Sequence, residues 1–341
     1  MGGDFAPKAV VQGAVDAARE YGVGIVLVGD NDRVKRELSH LDIKGLDITI
    51  VHASQVIDMK DSASAVMRRK KDSSIRIATE LVKTGDAVAV ISAGHTGAAM
   101  ATALFILGPM KGVERPAIAT LMPSTTGVTI LLDVGANVDC KPVHLQQFAV
   151  MGDVFARKVH NVDSPSVGLL SIGQEDTKGN ELTKETFKLL RDSRLNFIGN
   201  VEGRDVFNGK ANVIVCDGFI GNVALKISEG LAEAMNALLK KEIEDAIGGQ
   251  LGYLLLRPAF RKFKKRIDYS EYGGAPLLGI NGISIVSHGH SNPKAIKNAI
   301  RVARDFHEKQ VNKHIQDDIE AMVAGTVLQK KRVGEKEGAL K

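Results

Sequence analysis

Short apolar, β-branched runs alternate with amphipathic stretches of helix length along most of this chain, and that alternation restricts its fold more than any single motif does. Val23 to Val28, Ile48 to Val51, Ala87 to Ile91, Ile118 to Leu121, Thr129 to Leu132, Val167 to Ile172 and Val213 to Val215 have the length and composition of buried strands. Between them, Pro7 to Tyr21 opens with Pro at a helix start and carries Val10, Val11, Ala14, Val15 and Ala18 on one face. The same period predicts helices over 62–83, 97–107, 143–160, 180–191, 222–246 and 293–325. Strand and helix in turn make βαβ units, so the expected class is α/β, with helices around a parallel sheet. No internal repeat or low-complexity linker divides the chain, and 1–327 reads as one large α/β domain. Residues 328–341, rich in Lys, Gly and Glu, read as a disordered basic tail.

Ligands of open α/β sheets bind beyond the carboxyl ends of the strands, and four loops there carry polar residues. In Ser92-Ala93-Gly94-His95-Thr96-Gly97, glycines permit close backbone approach, a helix begins, and Thr96 and His95 add donors. That is a phosphate cradle or, equally, a tight turn with a capping Thr. Cys216-Asp217-Gly218-Phe219-Ile220-Gly221-Asn222 places Asp217 at a strand end, as base, orienting group or helix cap, and Asn222 as a neutral donor. Leu132-Asp133-Val134-Gly135-Ala136-Asn137, with Lys141 close behind, admits the same two readings. In Ser287-His288-Gly289-His290-Ser291-Asn292-Pro293 two His flank a Gly before a helix; without a third ligand they favour a turn or substrate contact over a metal.

Several chemistries drop out. Gly22, Gly24 and Gly29 have the wrong spacing for a dinucleotide fingerprint, and no P-loop, zincin or nucleophile-elbow motif occurs. Two cysteines, Cys140 and Cys216, make no disulfide framework and suit a reduced cytoplasmic chain. The first residues resemble no signal peptide, and no apolar run reaches the ~18 residues of a membrane span. What remains is a set of anion-friendly loops without an obvious protein nucleophile, as expected where an anionic substrate is itself the nucleophile.

Charge is concentrated in one place. The chain carries a net +5, yet Arg257, Arg261, Lys262, Lys264, Lys265 and Arg266 supply six positive charges within a stretch, Leu251 to Ile267, that contains no acid. Leu254, Leu255 and Phe260 stand among them, so 248–274 reads as an inserted amphipathic helical segment. It suits a membrane surface, an acidic partner, or a packing helix with a basic rim. The rest of the chain is close to neutral, and with no Trp and 4% aromatic residues nucleic acid is not expected. Arg68-Arg69-Lys70-Lys71 falls in a predicted helix and reads as a solvated face.

Taken together, the opening Met-Gly-Gly-Asp-Phe-Ala-Pro, the 92–97, 132–137 and 216–222 loops, and Tyr272-Gly273-Gly274-Ala275-Pro276-Leu277-Leu278-Gly279 followed by His288-Gly289-His290-Ser291 resemble PlsX-type acyl-ACP:phosphate acyltransferases over roughly positions 1 to 325. The resemblance implies a three-layer α/β/α Rossmann-like fold similar to isopropylmalate dehydrogenases and phosphotransacetylases. It implies transfer of a long-chain acyl group from acyl carrier protein to inorganic phosphate in bacterial phospholipid synthesis. It also implies a homodimer attached peripherally to the membrane, where a membrane glycerol-3-phosphate acyltransferase is a further partner, with no cofactor or metal. Members of the family carry a short apolar strand ahead of the Met-Gly-Gly-Asp motif, so the first strand is open here, and with it the position of Asp4. On this reading Gly94, His95, Thr96, Gly97 and Lys178 hold phosphate. His95 or Asn222 donates to the thioester oxyanion, and Asp217 orients them or takes a proton. Leu254, Leu255, Arg257, Phe260, Arg261, Lys262, Lys264, Lys265 and Arg266 meet membrane or carrier protein. A short-chain, coenzyme A-dependent phosphotransacetylase and a non-enzymatic docking scaffold are the competing readings.

Overall fold

The computed structural model describes residues 1–58, 61 and 69–338. Helix α1 (Lys8–Tyr21) is followed by β1 (Ile25–Gly29), α2 (Asn31–Leu38), β2 (Ile48–His52), α3 (Ser74–Thr84), β3 (Ala89–Ala93) and α4 (Thr96–Ile106). Next come β4 (Ala117–Ser124), β5 (Gly127–Leu132), α5 (Pro142–Val159), β6 (Val167–Leu170), α6 (Glu181–Arg191), β7 (Phe197–Val201), a short α7 (Asp205–Asn208) and β8 (Val213–Val215). The chain ends in α8 (Gly218–Asp245), α9 (Gly249–Ile267), β9 (Ala275–Leu278), β10 (Ile283–Ser287), α10 (Pro293–Glu308) and α11 (Val311–Gly338).

Eight strands form one sheet in the order β3-β10-β9-β4-β5-β8-β6-β7, and β1-β2 form a separate parallel pair. The sheet is mixed, which corrects the parallel sheet expected from the alternating pattern. β4 and β5 are an antiparallel hairpin, and β9 runs antiparallel to both β4 and β10. Two parallel sectors therefore point in opposite directions: β3 with β10, and β5 with β8, β6 and β7. A hairpin reverses a strand through the two residues Thr125 and Thr126, and a run of apolar residues carries no record of that reversal.

Alternation along each strand makes the layers. Ala117, Ala119, Ile130, Leu132, Val213 and Val215 join a core with Leu145, Phe148, Met151 and Phe155 of α5 and Phe306 of α10. The intervening Ile118, Leu131 and Ile214 face Ala103 and Ile106 of α4, Val206 of α7 and Leu225 of α8. Each side chain so buried stabilises by roughly 1.5–3 kcal/mol. The result is the expected three-layer α/β/α arrangement.

Some boundaries differ from the sequence reading. The single helix expected over 293–325 is two, broken where Gln310 takes φ of 49°. α8 starts at Gly218 rather than 222, because Asp217 accepts from Ile220 N at 2.9 Å and caps it there. Backbone of α11 is helical through Gly338, into the stretch read as a tail; 339–341 lie outside the described residues. So do 62–68 of the helix expected over 62–83, and with them Arg68. Lys70 is not on a solvated helix face, since its Nζ meets Asp61 at 2.6 Å and the Val56 carbonyl at 2.7 Å.

The N-terminal loop is placed by Asp4 N, which donates to the Gly289 carbonyl at 2.8 Å. Beside it, a cavity of about 680 Å³ separates β1 from β3 and is lined by residues of both strands. Among the described residues each of those strands has one unpaired edge, and Met1 closes the cavity beside Gly29.

Candidate active site

Parallel neighbours place the loops after β5, β8 and β6 side by side on one edge of the sheet. The first is organised by Asp133, a buried carboxylate. Its Oδ1 accepts from Ile118 N and Ala136 N, both at 3.0 Å; its Oδ2 accepts from Asn137 N at 2.7 Å and Asn137 Nδ2 at 2.9 Å. Burial raises its pKa against the pull of these donors. Asn137 extends the network: its Nδ2 reaches the Pro116 carbonyl at 2.7 Å and its own carbonyl accepts from Gly218 N at 2.8 Å. Helix α8 can start this close because Gly218 and Gly221 have no Cβ. One at 218 would stand 2.7 Å from the Asn137 oxygen, and one at 221 would strike the Asp133 carbonyl.

That approach lays Asn222, in the first turns of α8, against Gly135, where a Cβ would lie 3.6 Å from the Asn222 amide. Asn222 is exposed. The thiols nearby are shifted away from the reactive thiolate form. Burial, then the charge of Asp133, pushes Cys140 up to about 12. Complete burial, with Asp217 next, raises Cys216 well above its ordinary range. Lys178 stands in the next loop, after β6, where its N–H donates to the Glu175 carbonyl at 2.9 Å. Asn180 ends that loop by capping α6, accepting from Thr183 N at 2.9 Å.

The remaining predicted residues lie at the opposite edge, because β3 and β10 run the other way. His95 caps α4, its Nδ1 accepting from Ala98 N at 3.2 Å, while Nε2 meets the Asp61 carbonyl at 3.0 Å; both ring nitrogens are thus engaged. Thr96 and Gly97 form the first turn of α4, and Gly94 backs onto Gly2, 3.4 Å from where its Cβ would be. The His288–Ser291 loop completes this edge. His288 Nε2 lies 3.1 Å from Glu229 of α8, whose other oxygen takes Lys226 Nζ at 2.7 Å. Burial raises the Glu229 pKa, but these two partners outweigh it and hold it at about 2.

Asp217, Asn222 and Lys178 are therefore brought to one edge, and Gly94, His95, Thr96 and Gly97 to the other. Helix α8 ties the two: Gly218 to Glu229 is eleven residues, about 16 Å. Sequence reasoning missed Glu229 and Lys226, since a helix interior of ordinary charged residues carries no motif.

On this geometry the comparisons with known proteins bear directly. The sequence matches the model of a fatty acid synthesis protein family over residues 1–314. A phosphate acyltransferase of Citrifermentans bemidjiense is 61% identical over 325 residues, covering 95% of this chain and 92% of that protein. The chain belongs to the PlsX-type phosphate acyltransferase family. It is an enzyme of fatty acid and lipid synthesis, and the family's reaction is acyl transfer to phosphate. A phosphate acyltransferase of Geobacter sulfurreducens is 56% identical over 320 residues, 94% of this chain and 92% of its own length. Among solved structures, a phosphotransacetylase from Streptococcus pyogenes superposes with a TM-score of 0.62 at 18% identity over 90% of this chain and 92% of that one. The EutD phosphotransacetylase from Staphylococcus aureus gives 0.59 at 18%, over 88% and 91%. The phosphotransacetylase-like fold implied by the resemblance is thereby borne out.

Proposed function

We propose that this enzyme moves a long-chain fatty acyl group from acyl carrier protein to inorganic phosphate, releasing acyl phosphate and free carrier for bacterial phospholipid synthesis. A phosphate oxygen attacks the thioester carbonyl carbon, the C–O bond forms, and the C–S bond breaks as the carrier thiolate leaves with its electron pair. Lys178 pairs with the phosphate charge, and the Asn222 amide donates to the oxyanion. Asp217 holds Asn222 in place by fixing the start of α8. One observation carries this reading: the loop that holds Lys178 and the turn that leads to the exposed Asn222 follow the neighbouring parallel strands β6 and β8; burial holds both cysteine thiols above their ordinary range, against a protein nucleophile. Among the described residues no group of three or more His, Cys, Asp or Glu is placed to hold a metal ion, and the proposed step uses none.

Gly94, His95, Thr96 and Gly97 are the second candidate cradle, and alanine variants separate the two places. Asn222→Ala and Lys178→Ala are each expected to lower phosphate-dependent turnover about a hundredfold, against a small change for His95→Ala. An equal loss at His95 moves phosphate to the start of α4; near-normal turnover in all three variants overturns the assignment.

The partners follow from α9. It has no buried residue, and among the described residues none of its six cationic side chains has a carboxylate within 4.0 Å. Leu254 and Leu255 stand exposed beside them, and the Tyr253 and Phe260 rings stack at 5.3 Å. This face is assigned to the cytoplasmic membrane surface or to the acidic carrier protein. Among the described residues no helix is long and apolar enough to cross a membrane. Ile227, Leu231, Met235 and Leu238 form an exposed apolar stripe on α8, the kind of face a second copy covers in the proposed homodimer. The acyl phosphate product suits consumption by a membrane glycerol-3-phosphate acyltransferase.

A further inference from the structure

The loop that carries Lys178 is held from below by a residue the reaction has not yet used. β7 pairs with β6 through a bulge: Val167 opposes Phe197 but Leu169 opposes Asn200, so β7 spends one extra residue. Gly199, at φ of 92°, takes up that extra residue in a backbone conformation side chains resist. With regular pairing Gly199 would stand opposite Leu169; the bulge puts Asn200 there, 3% exposed. Its Nδ2 donates to the Glu175 carbonyl at 2.9 Å, the same oxygen that accepts from Lys178 N at 2.9 Å. One carbonyl thus ties the Lys178 turn to the sheet. Among the described residues Asn200 Oδ1 and Ser171 Oγ are buried without a hydrogen-bond partner, and the bond to Glu175 is the one that orients the Asn200 amide there. A Cβ at Gly179 would strike the Thr183 hydroxyl and stand 2.9 Å from Ser171 Oγ, so the loop has little slack on its other side.

We propose that Asn200 is a positioning residue: by fixing the Glu175 carbonyl it sets where Lys178 meets the anionic substrate. The proposal rests on the reading of Lys178 as the phosphate partner. A bulge, a left-handed glycine and a buried amide all spent on one loop carbonyl make little sense as packing, since an apolar residue at 200 would fill the same space without desolvating an amide.

The test uses the full-length enzyme with Asn200→Ala and Asn200→Asp. The second keeps the shape but turns a carboxylate oxygen toward the Glu175 carbonyl. Steady-state kinetics are expected to show the KM for phosphate raised about tenfold or more, with kcat and the KM for the acyl donor within about threefold. In a Lys178→Ala background the Asn200 change is expected to add nothing. A wild-type KM for phosphate in both Asn200 variants, or an undiminished effect of Asn200→Ala without Lys178, overturns the proposal. Amide hydrogen exchange of residues 173–180 reads the same link without turnover. Faster exchange at the Lys178 amide in the variants supports it, and unchanged exchange contradicts it. Wild-type enzyme lacking phosphate-dependent turnover would refute the reading of Lys178, while exchange would still decide whether Asn200 holds the loop.

Discussion

Asp133 accepts four hydrogen bonds from three residues and reports how much of this site is scaffolding. Replacing it with Ala strands four donors, three of them buried, that join the start of β4, the loop after β5 and, through Asn137, the N-terminus of α8. Asp133→Ala is therefore expected to cost about 3 kcal/mol or more in urea unfolding, and a loss below about 1 kcal/mol would contradict this account. His160 sets a pH window of its own. Burial, then the charges of Arg301 and Lys309, push it from 6.5 down to about 4, so the unfolded chain takes up a proton that the folded chain refuses. Its contribution is harmless above about pH 6.5, becomes destabilising as pH falls toward 4, and levels off below. Against wild type, His160→Gln should remove about 2–3 kcal/mol of the stability lost across that window, read as the difference between two denaturation series. Parallel curves for the two proteins would show that His160 is not desolvated as described.

At the scale of elements, α9 is the feature whose character the sequence shows most plainly. Six cations that meet no carboxylate among the described residues, and a row of exposed Leu, have no role in the core, since no residue of α9 is buried. Replacing Arg257, Arg261, Lys262, Lys264, Lys265 and Arg266 with Gln is expected to abolish sedimentation with vesicles rich in anionic lipid while leaving the far-ultraviolet circular dichroism and thermal midpoint unchanged. At about 1 kcal/mol per charge near such a surface, the loss should exceed a hundredfold in binding. Equal binding by the variant would remove α9 from the interface. Legibility elsewhere was uneven for physical reasons. The loops after β3, β5 and β8 were visible because a strand that ends at Gly or Asp and turns into a helix leaves those residues in a row. Strand direction was not, because β9 is four residues long and a hairpin turn of two Thr lacks the usual Gly-Asn signal. The Asn200 bulge was invisible for the same reason: it depends on a register offset between β6 and β7, which no local pattern encodes.

For the whole molecule, opposed strand directions decide how the predicted residues group. Asn222, Asp217 and Lys178 share an edge because β8 lies between β5 and β6. The Gly94–Gly97 loop sits at the other edge with the N-terminal Gly2–Asp4 turn and the His288 loop, joined to the first by the packed part of α8 through Glu229. A chain whose two thiols are pushed above their ordinary range by burial, with a lysine and an amide at one edge and a cationic helix standing clear of the core, is arranged to let phosphate do the attacking. The most direct test mixes the purified enzyme with palmitoyl-ACP, with and without inorganic phosphate, and traps the product with hydroxylamine. Acyl hydroxamate that forms only when phosphate is present, with stoichiometric release of free carrier, is the predicted result. Hydroxamate formed equally without phosphate, or none at all from palmitoyl-ACP while acetyl-CoA is turned over, would contradict it.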